Sequence, residues 1–96
     1  MKREIIPMGA ELPVKLTLRE RNLIREETFF DPDFAKCAVV EDGGIQVDLS
    51  LDDIEDIQVF VAAEANHTED MKLQKELYRL FDKFQVYFDR YDEPRE

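Results

Sequence analysis

Few side chains of this 96-residue chain are suited to nucleophilic chemistry: Cys37, Ser50 and His67 are each the sole residue of their type. Neither Cys37 nor Ser50 stands in a local pattern that would recruit His67 as a base, although such partners can meet in space alone. The three glycines do not form a phosphate-binding loop. The sequence therefore favours a protein without catalytic activity, with a Cys37 and His67 pair as the nucleophilic alternative.

Glu64 and His67 have the spacing of half a carboxylate-bridged two-metal site in a helical bundle. Such a site needs the motif twice, and this chain has it once. A symmetric dimer could supply the second copy, with further ligands from nearby acidic residues. A metal-binding protein or small metal-dependent enzyme that uses Glu64 and His67 is thus the alternative functional hypothesis. The candidate extra ligands are Glu69, Asp70 and Glu76.

The acidic run from Asp52 to Asp56 matches the DDxxD pattern with which some prenyl-diphosphate enzymes hold magnesium. Those enzymes need a large helical cavity and further ligands, which a chain of this length does not provide. Acidic residues in the first turn of a helix also complement the helix dipole. We therefore interpret the run as the start of a helix.

Thirteen basic and 23 acidic residues give a net charge of −10, which repels nucleic-acid phosphates and anionic lipids. We expect no nucleic-acid or membrane partner. The longest apolar run, Val59 to Ala63, is far shorter than the roughly 20 residues of a membrane-spanning helix. Because a lone cysteine cannot form an internal disulfide and no export signal is visible, we expect a cytoplasmic protein. No cofactor is predicted.

The first part of the chain predicts an irregular arm over residues 1–11, followed by a short edge strand from Pro13 to Leu16, where apolar and polar side chains alternate. Thr17 and, three residues later, Glu20 form the pattern of a capping box. We expect a helix from Leu18 to Thr28 after this cap.

Asp31-Pro32 resembles a second helix start and predicts a short helix from Asp33 to Cys37, with Phe34 facing inward. From Ala38 to Leu49, alternating apolar residues flank Asp42-Gly43-Gly44, which indicates a β-hairpin whose turn requires positive φ angles. A two-stranded hairpin is marginal alone, so it must pack on helices or pair with another strand.

Ser50 and Asp53 indicate the start of the next helix. Apolar residues at helical spacing continue it to Ala65, and Asn66 is predicted to end it in the left-handed conformation. The alternative is a buried strand over Ile57 to Ala62, a stretch rich in β-branched and aromatic residues. Thr68 is predicted to cap the following helix, which gives an antiparallel helical hairpin.

The last helix is predicted from Glu69 to Tyr91, with residues 92–96 as a frayed tail. Its apolar seam repeats at alternating steps of four and three. Met71, Tyr78 and Val86 lie on the other side of the same helix and are the predicted partner-binding residues. The seam consists of Leu73, Leu77, Leu80, Phe84, Tyr87 and Tyr91, and Phe81 and Phe88 widen it.

The patterns together predict a single domain over residues 1–96 of the α+β class, mainly helical. It has three or four helices, a long C-terminal helix in a helical hairpin, and a β-hairpin that a third strand can extend. A small core, strong acidity and a long aromatic helix indicate an accessory or protein-interaction module. Its expected partner is another protein or a second copy of the chain, as in a homodimer.

Overall fold

The computed structural model describes residues 3–36 and 38–94 and confirms an α+β, mainly helical fold with a long C-terminal helix and a small antiparallel sheet. The strands are β1 (Glu4–Ile5), β2 (Glu11–Leu16), β3 (Val39–Glu41), β4 (Gly44–Ser50) and β5 (Tyr91–Asp92). The helices are α1 (Leu18–Asn22), which continues as a π-helical segment (Leu23–Glu27), α2 (Leu51–His67) and α3 (Met71–Arg90).

The three-stranded sheet has the order β2-β4-β3, and both pairings are antiparallel. Val14 lies opposite Val47 in the register of β2 and β4. Alternate residues of these two strands are buried, as strand periodicity requires. Pro13 is tolerated because β2 is an edge strand. The inward-facing side chains are Leu12, Val14, Leu16, Ile45, Val47 and Leu49.

The turn between β3 and β4 consists of Asp42 and Gly43, because Glu41 pairs with Gly44. Gly43 has φ +81°, whereas no described residue other than glycine has a positive φ. The expectation of positive φ angles therefore holds for Gly43 and is wrong for Asp42. Gly44 meets a second constraint, since a Cβ atom there would lie 2.2 Å from the backbone oxygen of Leu16.

Helices α2 and α3 form the predicted antiparallel hairpin and cover the inner face of the sheet. Residues 57–62 are helical, so the strand alternative is wrong. Gln58, buried between the helices, donates from Nε2 to the Phe81 carbonyl oxygen at 3.1 Å and to Gln85 Oε1 at 3.2 Å. The seam of α3 faces the core: Leu77, Leu80 and Phe84 are buried, and Leu73, Phe81, Tyr87 and Phe88 are partly buried against them. Tyr91, predicted as the last residue of this helix, begins β5 and is also partly buried.

The connection between α2 and α3 differs from the prediction. Asn66 does not adopt the left-handed conformation; α2 extends to His67, and the Thr68 N–H bonds to the Glu64 carbonyl oxygen at 2.9 Å. Asp70 rather than Thr68 caps α3, since Asp70 Oδ1 accepts from the Lys72 backbone N–H at 3.0 Å. A carboxylate suits this position because it also complements the helix dipole.

The predicted short helix from Asp33 to Cys37 is wrong over its described residues. Residues 32–36 form turns, in which the Lys36 N–H bonds to the Asp33 carbonyl oxygen at 3.0 Å. Isolated three-residue steps of this kind do not reach the cooperative bonding of a helix. Phe34 is partly buried against the core as expected, and Cys37 lies outside the described residues.

The predicted irregular arm contains strand structure. Strand β1 pairs in parallel with β5 at the end of α3, and the Ile6 N–H bonds to the Asp92 carbonyl oxygen at 2.8 Å. Ile6 is buried, and this burial explains why the arm is held and why Asp92 is not frayed. None of the helices in residues 3–36 and 38–94 has both the length and the apolar character needed to cross a membrane.

Candidate functional site

The second half of α2 lines an open cleft of about 240 Å³. Glu64 and His67, the predicted metal pair, both line it, because residues three apart on a helix lie on the same side. Their neighbours in the cleft are apolar: Phe29, Phe60 and Ala63. The structure therefore brings the two predicted residues together, in surroundings that are mainly hydrophobic.

The π-helical segment sets the position of Phe29. Thr28 follows this segment, is buried, and donates from its hydroxyl to the Ile24 carbonyl oxygen. The same hydroxyl accepts from the Phe30 backbone N–H at 3.2 Å. These bonds fix the direction of the chain, so that Phe30 packs against the core while Phe29 remains 90% exposed.

Phe30 anchors the loop that carries Phe29. Its ring lies 5.8 Å from that of Phe34 in an edge-to-face arrangement and 5.9 Å from that of Phe60. Aromatic pairs at such distances are attractive beyond their buried area. Phe60 thus packs against Phe30 and lines the cleft together with Phe29.

An apolar surface extends from the cleft along α2. Val59 is 60% exposed, and Ala63, one turn later, is also exposed. We call Phe29, Val59, Phe60 and Ala63 the Phe29 surface. Single exposed apolar residues are common on proteins, but a grouped set that includes a nearly fully exposed phenyl ring is typical of a contact surface.

Further metal ligands do not assemble beside Glu64 and His67. Within the described residues, no group of three or more His, Cys, Asp or Glu side chains is placed to hold one ion. Of the proposed extra ligands, Asp70 caps α3 and Glu76 accepts two hydrogen bonds from Arg19, at 2.8 and 3.0 Å. The Arg19 guanidinium bond holds the pKa of Glu76 below its ordinary value. Glu69 is exposed.

The other chemical motifs have structural explanations or cannot be described. Asp53 belongs to the cap of α2: its Oδ2 accepts from the Ser50 N–H, and Ser50 Oγ accepts from the Asp53 N–H, both at 3.2 Å. Asp52 and Asp56 are exposed on the first turns of the same helix. The proposed Cys37 and His67 pair falls on a residue outside the described ranges.

The predicted partner-binding residues Met71, Tyr78 and Val86 are all exposed on α3. They do not share one patch, however. The Tyr78 hydroxyl donates to Asn66 Oδ1 at 2.8 Å and so faces the end of α2, whereas Val86 lines a groove on the side of strand β2.

This groove between α3 and β2 has a volume of about 330 Å³ and was not predicted. Burial raises the pKa of Tyr87, which forms one wall, and the neighbouring Tyr91 raises it further. A sequence gives no direct signal for such a groove, because its second wall comes from a strand some 70 residues away in the chain. Its lining residues are Leu12, Pro13, Lys83, Val86, Tyr87, Arg90 and Tyr91.

Comparisons of the chain with protein-family models, with curated proteins and with solved structures found no match. The Phe29 surface and the groove beside α3 are the two candidate binding sites of the described residues.

Proposed function

We propose that the protein is a cytoplasmic, non-catalytic interaction module that pairs with a second copy of itself through the Phe29 surface. The observation that supports this proposal is the position of Phe29, 90% exposed at the rim of a cleft lined by Phe60 and Ala63. A projecting ring beside an apolar cleft is self-complementary. In a two-fold dimer the Phe29 ring of each copy enters the cleft of the other.

Apolar burial is the driving force for such an arrangement, and it must exceed the roughly 4–15 kcal/mol that two copies lose in translational and rotational freedom. Burying a phenylalanine side chain stabilises an association by about 1.5–3 kcal/mol relative to leaving it in water. Two-fold symmetry applies this gain twice, along with the burial of Val59 and Ala63. Aromatic residues that fill pockets are also the usual anchors of protein interfaces. The contact is therefore expected to depend strongly on one side chain.

Charge repulsion between the two copies opposes dimerisation, and its dependence on salt tests whether the contact is apolar. Each copy carries a net charge of −10, so two copies repel each other at low ionic strength. Salt screens this repulsion but does not weaken apolar contact. We therefore expect the self-association to strengthen as the salt concentration rises from about 0.05 to about 0.3 M.

Sedimentation velocity over a range of protein concentrations tests the proposal. We expect a concentration-dependent dimer for the natural chain and a monomer for Phe29→Ser. Val40→Thr is the matched control, because Val40 is 81% exposed on β3 and outside the Phe29 surface. A natural chain that stays monomeric at high micromolar concentration, or a Phe29→Ser variant that dimerises as well as the natural chain, would contradict the proposal.

Metal binding is the second candidate function, and one observation supports it. Glu64 and His67 line the same cleft as Phe29, so a two-fold dimer at this surface brings two copies of each side chain to one interface. Two imidazoles and two carboxylates suit zinc or manganese. We expect Zn²⁺ to raise the melting temperature of the natural chain but not of His67→Ala. Equal responses of the two proteins, or none, would exclude this function.

A further inference from the structure

Four basic residues form a line along α3 of this acidic protein. Lys72, Arg79, Lys83 and Arg90 follow one another at steps of seven, four and seven residues. At 3.6 residues per turn these steps keep all four within about 40° of one another around the helix axis. The line is about 27 Å long, since a helix rises about 1.5 Å per residue. We call these four residues the basic stripe.

Glu76 lies between Lys72 and Arg79 on the same side of α3, but its two hydrogen bonds come from Arg19, so the basic stripe itself makes few direct ion pairs with the described residues. Lys83 Nζ lies 2.6 Å from Glu20 Oε1. Lys72, Arg79 and Arg90 make no ion pair within 4.0 Å with any residue of 3–36 and 38–94. Helix α3 contains five basic and three acidic residues in a chain whose net charge is −10. The positive charge is thus concentrated where it can attract an anionic ligand.

The basic stripe lies beside an apolar groove. Lys83 and Arg90 line the groove between α3 and β2 together with Val86, whose side chain is exposed. Leu12 and Pro13 form the opposite wall. A ligand at this face therefore meets cations along its length and one apolar site near its end. Nucleic acid offers the negative charge but no aliphatic side chain for the groove, whereas an acidic peptide offers both.

We propose that this face of α3 binds an extended acidic segment of a partner protein, one apolar side chain of which enters the groove. The spacing supports an extended peptide, because a strand advances about 3.3 Å per residue. About eight steps along a strand therefore match the distance from Lys72 to Arg90. Because successive side chains of a strand point to opposite faces, only even positions after the first share its face. An acidic side chain four positions after the first then lies between Arg79 and Lys83, and one at the eighth lies opposite Arg90. An apolar side chain at the sixth position lies opposite Val86.

A second copy of the chain does not fit this face. An antiparallel two-fold pairing of α3 with α3, centred on the basic stripe, sets Lys72 opposite Arg90 and Arg79 opposite Lys83. Like charges placed opposite each other oppose association. The ligand of this face is therefore a different, acidic chain. Its binding does not depend on the Phe29 surface, which lies on α2 and on the loop before β3.

Selection of peptides from a random display library against the natural chain tests the proposal. We expect the enriched sequences to be acidic with an aliphatic or aromatic residue, and their affinity to fall as salt rises. Enrichment of neutral or basic peptides, or no enrichment, would overturn it. So would displacement of the selected peptides by equimolar single-stranded DNA, since this indicates attraction of any polyanion.

Matched variants assign the binding to the basic stripe. The double variant Arg79→Glu, Arg90→Glu should bind the selected peptides with an affinity more than about tenfold lower. Arg25→Glu with Lys36→Glu changes the net charge equally at exposed positions outside α3, and we expect less than about a threefold effect. Val86→Ser should weaken binding without altering its salt dependence. Phe29→Ser should leave it unchanged. Equal losses in the two double variants, or loss in Phe29→Ser, would refute the assignment.

Discussion

Two substitutions of the same type, Phe84→Ala and Phe29→Ala, offer a quantitative test of the fold. Phe84 is fully buried, at 0% exposure, in the seam of α3, and it is the largest of the fully buried side chains. Phe29 is 90% exposed. The two variants remove the same atoms from the chain, so any difference between their stabilities reports the environment of each ring rather than its chemistry.

The expected magnitudes follow from this burial. Truncating a buried phenylalanine costs about 3–5 kcal/mol, because the apolar contact is lost and a cavity remains. An exposed residue changes stability by less than about 0.5 kcal/mol. With an unfolding entropy near 2 cal/mol/K per residue, a chain of this length loses about 15–25 °C of melting temperature in Phe84→Ala. Phe29→Ala should lose almost none.

Thermal and urea unfolding followed by far-ultraviolet circular dichroism measure both variants. The measurements should use dilute protein, because a dimer through Phe29 would add its own stabilisation. A loss below about 1 kcal/mol in Phe84→Ala would show that α3 does not bury its aromatic seam. If Phe29→Ala lowers the free energy of unfolding of the monomer by more than about 2 kcal/mol, then Phe29 packs in the core of the natural chain. The basis of the proposed dimer would then be lost.

Two further predictions concern a close backbone contact in the sheet and a surface ion pair. Gly44→Ala should destabilise the fold by more than about 2 kcal/mol in urea unfolding, because its Cβ would meet the Leu16 carbonyl oxygen; Gly9→Ala, with open space around it but φ +78°, should cost only about 1 kcal/mol. Equal losses of stability in Gly44→Ala and Gly9→Ala would contradict a close contact between residue 44 and the Leu16 carbonyl oxygen. Glu76→Gln should lower the melting temperature at pH 7, where the natural carboxylate is ionised and bonded to Arg19. Since folding depresses the pKa of Glu76 below 4.5, this difference should be complete above about pH 5 and vanish as the pH falls through the lowered pKa. A difference that stays constant from pH 7 down to the pH at which the natural chain unfolds would contradict the ion pair as its cause.

Local signals in the sequence predicted much of the fold. The pairs Thr17 with Glu20 and Ser50 with Asp53 form reciprocal capping bonds at the starts of α1 and α2, as their spacing indicated. These bonds involve neighbours in the chain, so the sequence alone is sufficient to find them. Thr68 was mistaken for the cap of α3 because it does accept one backbone bond, from the Asp70 N–H at 3.2 Å. The N–H groups in the first turn of α3, those of Lys72 and Leu73, bond to Asp70 instead.

The candidate sites depended on long-range structure and were predicted less well. Phe29 and Phe30 are adjacent and identical in type, and only the bonds around Thr28 decide which ring faces inward. The steps of the basic stripe are visible in the sequence, whereas the groove beside it exists only because β2 lies next to α3. Periodicity thus identifies the faces of a helix but not what covers them.

The parallel pairing of β1 with β5 has a consequence for how the molecule folds. Glu4 is in register with Tyr91, so this contact closes a loop from residue 4 to residue 91, and the entropic cost of closing a loop grows with its length. The α2–α3 unit needs only neighbouring residues and can form early. We therefore expect β1 to pair with β5 last during folding, and amide protection at Ile6, whose N–H bonds to the Asp92 carbonyl oxygen, would report this step.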